Sequence, residues 1–148
     1  TKAIELDPDY TEAYANRGMA YVHLGKLKDA ITGFTKAIEL EPNYVYAYYN
    51  RGWAYGNLGQ YNEAIADFNV AIELVPTHAY GYYNRGWVYG NLGEYIRAVD
   101  DYTNAIELDP IHAHAYYNRG MAFEDLGEFD KSQQDKAKAC SLDQSFCR

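Results

Sequence analysis

The sequence predicts an all-α solenoid of stacked antiparallel helix pairs, and three observations carry that prediction. Asn-Arg-Gly recurs at Asn16-Arg17-Gly18, Asn50-Arg51-Gly52, Asn84-Arg85-Gly86 and Asn118-Arg119-Gly120, each step being 34 residues. The four prolines, Pro8, Pro42, Pro76 and Pro110, keep the same step. Within each period, two stretches with helical spacing of apolar and small residues meet at a glycine. The repeats run 11–44, 45–78, 79–112 and 113–146, the last continuing to 148 with a capping helix.

Taken in order, residues 1–10 read as the remnant of an upstream repeat helix, because the chain starts at Thr1 inside a helical pattern. In the second repeat the first helix carries Tyr48, Gly52 and Tyr55 on one face. Leu58 and Gly59 end it, glycine tolerating the left-handed conformation of a helix terminus. The second helix carries Tyr61, Ala64, Ile65, Phe68, Ala71, Ile72 and Leu74 as an apolar stripe, and Pro76 stops it. Small residues recur where the helices of a pair must approach: Gly18, Gly52, Gly86 and Gly120 face Ala30, Ala64, Ala98 and Ser132. Phe34, Phe68 and Tyr102 fill the space between, with Ala37, Ala71, Ala105 and Ala139. The fourth repeat departs from this pattern, with Ser132, Lys136 and Gln144 where alanine, an aromatic ring and proline stand elsewhere. A polar final helix keeps the end of a repeat array soluble.

Composition narrows the function. The chain has 148 residues and a formal net charge of −8, which disfavours binding to a phosphate backbone or an anionic membrane surface. No apolar run approaches the roughly 20 residues a membrane span needs. Cys140 and Cys147 read first as two reduced thiols, with a late disulfide as the other reading, and a cytoplasmic setting is favoured without being established. No P-loop, G-x-G-x-x-G, H-E-x-x-H or calcium-loop motif occurs, and no metal or cofactor is expected. His78, His112 and His114 read as turn residues rather than ligands. The chain is therefore expected to be non-enzymatic.

The spacing Tyr48…Gly52…Tyr55…Gly59…Ala64…Phe68…Ala71…Pro76, repeated over nearly the whole chain, resembles the tetratricopeptide repeat family. The resemblance implies a right-handed superhelix whose first helices line a concave face. It also implies which positions face that groove: the second, fifth, sixth, ninth, twelfth and thirteenth of each first helix. Those places hold Tyr46, Tyr49, Asn50, Trp53 and Asn57 in the second repeat, and Tyr80, Tyr83, Asn84, Trp87 and Asn91 in the third. The fourth repeat offers His114, Tyr117, Asn118 and Met121, while the first is blander, with Glu12, Ala15 and Met19. Tyrosine and tryptophan bury large area at low entropic cost and are frequent binding hot spots. The other reading is that these rings pack between neighbouring repeats and bind nothing.

Gly56 and Gly90, each three residues after a tryptophan, leave either ligand room or a close helix approach. The row Asn16, Asn50, Asn84 and Asn118 resembles asparagine ladders that hold extended peptide backbones in members of the family, an amide being both donor and acceptor. Local structure explains such a row equally well. Arg17, Arg51, Arg85 and Arg119 read as structural, because Asp67, Asp101 and Asp135 follow the last three by 16 residues; Gly33 breaks the pattern in the first repeat. The dicarboxylate clamp of chaperone-binding members is missing. Its lysine and asparagine places hold Ala15, Tyr49, Tyr83 and Tyr117, and Met19, Trp53, Trp87 and Met121.

The expected function is peptide binding in an aromatic, asparagine-lined groove. The partner is a protein segment, neutral to basic, with apolar or aromatic side chains. Two alternatives stand beside it. One is an assembly rod that self-associates end to end through its N-terminal side. The other is the substrate-recruiting arm of a larger enzyme.

Overall fold

A computed structural model describes Asp7 and residues 9–147; the remnant helix expected at the N-terminus falls almost wholly outside the described residues. The chain divides into two compact units, one ending at Pro76 and the other beginning at Thr77. The first unit holds α1 (Thr11–His23), α2 (Leu27–Leu40), α3 (Val45–Asn57) and α4 (Tyr61–Leu74). The second holds α5 (Ala79–Asn91), α6 (Tyr95–Leu108), α7 (Ala113–Asp125) and α8 (Phe129–Leu142), followed by a 3-10 turn at Gln144–Phe146. No strand occurs among the described residues. The fold is all-α, and no described helix is long and apolar enough to cross a membrane.

Within each pair the turn is built by glycine. Gly59 and Gly93 both have φ of +76°, the left-handed region that side chains avoid. The chain then folds back so that Gln60 N–H and Glu94 N–H donate to the carbonyls of Tyr55 and Tyr89, both at 2.9 Å. These bonds satisfy carbonyls that the helix end would leave orphaned.

The pair closes on a ring. Phe34 and Phe68 are fully buried, with Ala30, Ala37, Ala64 and Ala71 around them. Tyr102 takes the same place in the second unit beside Ala98 and Ala105. Burying one such side chain stabilises the fold by roughly 1.5–3 kcal/mol. The first helix must come close to cover the ring. A Cβ on Gly52 would lie 3.1 Å from Phe68 Cε1, and one on Gly86 would lie 3.0 Å from Tyr102 Cε1.

The arginine of each Asn-Arg-Gly triplet locks the pair from the side. Arg51 Nε and Nη2 donate to Asp67 at 2.8 and 2.7 Å, and Arg85 repeats the fork on Asp101 at 2.8 and 2.7 Å. Arg119 does the same to Asp135 at 2.7 and 2.8 Å. The remaining nitrogen reaches the preceding helix: Arg51 Nη1 donates to Thr35 and Arg119 Nη1 to Thr103, both at 3.0 Å. Arg51 and Arg119 thus each tie three helices. In α1 the expected exception is real. Gly33 carries no acid, and Arg17 Nε is buried without a hydrogen-bond partner among the described residues. A side chain at position 33 has no room, since its Cβ would sit 3.0 Å from both Gly18 Cα and the Tyr14 carbonyl.

The last helix buries only Ser132, Asp135 and Ala139. Lys136, standing where Phe68 and Tyr102 stand in their pairs, forms an ion pair with Glu124 of α7. Beyond α8 one expectation is corrected. Cys140 and Cys147 are joined in a disulfide, not held as two thiols. The 3-10 turn reverses the chain and brings their Cα atoms to 4.7 Å, a separation that a disulfide spans.

The buried forks make a quantitative expectation. Asp101→Ala strands the Arg85 guanidinium and should cost about 3 kcal/mol in urea unfolding. Exposed Asp100→Ala, its sequence neighbour, should change stability by about 0.5 kcal/mol or less. Equal effects would show that the fork contributes nothing beyond surface charge.

Candidate functional site

The face of each first helix opposite the packed glycine is free to carry function, and the two units present it separately. In the first unit Tyr46 is 40% exposed and its ring lies 6.0 Å from that of Tyr44. Trp53 is half-buried and Asn57 is exposed. Tyr49 is different: it is only 5% exposed and belongs to the core. On α1 the corresponding surface is Glu12, Asn16 and Met19, with no ring.

In the second unit Tyr80 is exposed, and Trp87 and Tyr83 are half-buried. The fifth-place tyrosines there lie under rings from further along the chain. His112 stacks on Tyr83 at 4.6 Å, and Phe146, one repeat later, lies 4.9 Å from Tyr117. Phe146 also meets His114 edge-on at 4.9 Å. His112 and Phe146 therefore each cover a tyrosine that the sequence places in the groove. Packing accounts for Tyr83 and Tyr117, while Tyr46, Trp53, Tyr80 and Trp87 keep accessible faces.

The asparagines are braced by their own helices. Asn50 and Asn84 donate from Nδ2 to the carbonyls of Tyr46 and Tyr80, both at 2.7 Å. Asn57 and Asn91 donate to the carbonyls of Trp53 and Trp87, both at 2.8 Å. Asn118 instead donates to Tyr83 Oη at 3.2 Å. An amide engaged in this way fixes its orientation and keeps its oxygen as an acceptor. Asn84 is buried.

Between α5, α6 and α7 lies an open pocket of about 160 Å³. Trp87 and Asn91 come from α5, Tyr95 and Tyr102 from α6, and Asn118, Met121 and Asp125 from α7. Four of the expected site residues meet here: Trp87, Asn91, Asn118 and Met121. The pocket owes its opening to Gly90. A Cβ there would meet only Tyr102 Oη, at 3.8 Å, so no close helix approach requires glycine. The equivalent residue on α1 is Val22, which packs against the core of its unit.

Tyr102 was expected only as core filling. It is buried, yet its hydroxyl lines the pocket floor, and burial pushes that hydroxyl far above its ordinary value. The Asn118 amide opposes that shift by hydrogen bonding. Tyr102 therefore remains a neutral donor at any working pH. The signal was in the sequence: a tyrosine stands where Phe34 and Phe68 stand in the first two repeats. Among the described residues no cluster of three or more His, Cys, Asp or Glu side chains could hold a metal.

His112 caps α7, its Nδ1 accepting from Ala115 N–H at 3.3 Å. Burial pushes the imidazole below the ordinary value of 6.5, with Asp109 opposing and His114 reinforcing the shift. The unfolded chain thus takes the proton more readily than the folded one, so stability falls as pH drops below about 6.5. His112→Asn retains a cap acceptor and removes that slope, which thermal melts across the range will read.

Gly90→Ala should raise stability by about 0.5–1 kcal/mol, because it improves helix propensity at no steric cost. Gly86→Ala, pressed on the Tyr102 ring, should lower it by about 1–3 kcal/mol. Urea unfolding of the two variants separates the glycine that packing needs from the one it does not.

Profiles of the tetratricopeptide repeat match residues 11–44 and 79–112, and 34–66 and 101–134, and a further TPR repeat profile matches 55–93. A crystal structure of MamA is 30% identical, covering 97% of this chain and 84% of that one with a TM-score of 0.90. A second, of MamA protein, is also 30% identical, covering 97% and 78% with a TM-score of 0.88. MamA 41-end from Desulfovibrio magneticus RS-1 is 22% identical over 96% of this chain and 80% of its own, with a TM-score of 0.89, and matches in fold. No curated protein matches the sequence.

Proposed function

The chain belongs to the tetratricopeptide repeat family, and from that premise we propose that it is a non-enzymatic module that binds an extended peptide segment on its first helices. The fold is that of a protein-interaction repeat module, which sets the class; the peptide site is the finer reading. The observation that carries it is the open notch at Gly90 beside Trp87. A glycine near the end of a helix, with no neighbour demanding it, lowers helix stability and leaves room that no described side chain fills.

The roles divide by chemistry. Tyr46, Trp53, Tyr80 and Trp87 supply contact area. Asn50, Asn57, Asn91 and Asn118 supply acceptors for backbone N–H groups or polar side chains. Tyr49, Tyr83 and Tyr117 hold the helices that present them. His114 and Met121 extend the surface of α7. The partner is a protein segment, neutral to basic, with apolar or aromatic side chains, because no lysine or arginine lines the pocket and the net charge is −8.

A phage-displayed peptide selection on the purified chain, followed by tryptophan fluorescence titration, tests this reading. A convergent motif with a saturable emission change is expected. Replacing Trp53 and Trp87 together by alanine should weaken binding at least about 100-fold, the scale of two hot-spot rings, with helical circular dichroism retained. A selection without enrichment, or a double variant that binds as well as the parent, removes the peptide site from these faces.

A further inference from the structure

We propose that the pocket between α5, α6 and α7 receives a cationic side chain, lysine or arginine, from the bound segment. The inference rests on the peptide-binding reading above and names what one part of that segment must be.

The pocket has the two-part chemistry of such a side chain. Trp87 and Met121 give apolar walls along which a methylene stem lies. The indole face attracts a cation through its quadrupole. Asp125 places a carboxylate at the rim, and Asn91, whose Nδ2 is engaged with the Trp87 carbonyl, offers its oxygen as a second acceptor. No cation among the described residues forms an ion pair with this carboxylate. Asp125 makes no ion pair among the described residues, whereas its neighbour Glu124 pairs with Lys136.

The position of Asp125 is the second line of argument. It is the last residue of α7, where unpaired carbonyls concentrate partial negative charge and an acid is unfavourable. The equivalent residues of α1, α3 and α5 are His23, Asn57 and Asn91, none of them acidic. Structure gives no reason for a carboxylate at this end, and its own capping role is nil, since backbone bonds already close the turn at Leu126. A cation arriving in the pocket gives it one. The first unit lacks the same set: Val22 stands for Gly90, Phe34 for Tyr102 and Asn57 for Asp125.

The test uses the full chain, ¹⁵N-labelled, with the Trp87 indole N–H resonance assigned through Trp53→Phe. The probes are three blocked peptides, Ala-Pro-Tyr-X-Tyr-Pro-Ala, with X as lysine, norleucine or glutamate. Lysine should bind about five-fold tighter than norleucine, the scale of one exposed charge pair, and glutamate weakest. Asp125→Asn should bring the ratio of lysine to norleucine close to one while the melting temperature holds or rises. Equal binding of lysine and norleucine overturns the cationic assignment and leaves the groove reading intact. A lysine preference that survives Asp125→Asn overturns the assignment to this pocket. If no peptide moves the Trp87 resonance, both readings fall.

Discussion

In each helix pair the first helix approaches the second so closely that a methyl group at its central glycine would press on a buried ring or on backbone. This contact fixes the distance and the rotation of the pair. With Gly52 turned to Phe68, Tyr46 and Trp53 must point away from the partner helix, because residues six before and one after lie elsewhere on the cylinder. The same holds for Gly86, Tyr102, Tyr80 and Trp87. The Arg–Asp fork follows from the same geometry. An arginine next to the glycine reaches an aspartate 16 residues on only because the two helix axes are already held together. Packing, electrostatics and the free face therefore share one origin.

That origin is also why so much of the fold was legible. A glycine and a ring in fixed register leave a trace at every period, and so do the turn glycines and the buried aspartates. Helix starts at Thr11, Val45, Ala79 and Ala113 keep the 34-residue step that the Asn-Arg-Gly triplets announce. The face was harder to read. Tyr49 and Tyr46 are both tyrosines on one first helix, yet one is core and the other surface. Helical spacing places a side chain in direction but not in depth, and the depth of Tyr83 and Tyr117 depends on rings contributed by the next segment of chain. The covering role of Phe146 shows only once His112 is seen on Tyr83, and the disulfide that closes the turn around it leaves no repeat signal. Phe146 does keep the 34-residue step from His112, but Cys140 and Cys147 have no counterpart in the other repeats, so periodicity could not pair them.

The glycine, ring and Arg–Asp positions that repeat have structural reasons. Where they depart, the departures differ in kind. Gly33 removes an acid and leaves the Arg17 guanidinium partly unpaired, but the lost side chain lets α1 and α2 close on each other, so packing explains it. Lys136 removes a ring and gains an ion pair at the end of the second unit. Gly90 and Asp125 bring no such return within the protein. One lowers helix propensity without a steric need, and the other sets a negative charge against a helix C-terminus.

Local rules broken without internal compensation point outward, to something the folded chain meets. Gly90 and Asp125 lie on different helices, 35 residues apart in sequence, and still border one cavity. Tyr102, the third departure, replaces a phenylalanine and puts a hydroxyl on the floor of that cavity instead of elsewhere in the core. A drift in sequence would scatter such changes over the frame. Gly90 shares its place with Gly56, but only in the second unit do the glycine, the tyrosine hydroxyl and the carboxylate border one pocket.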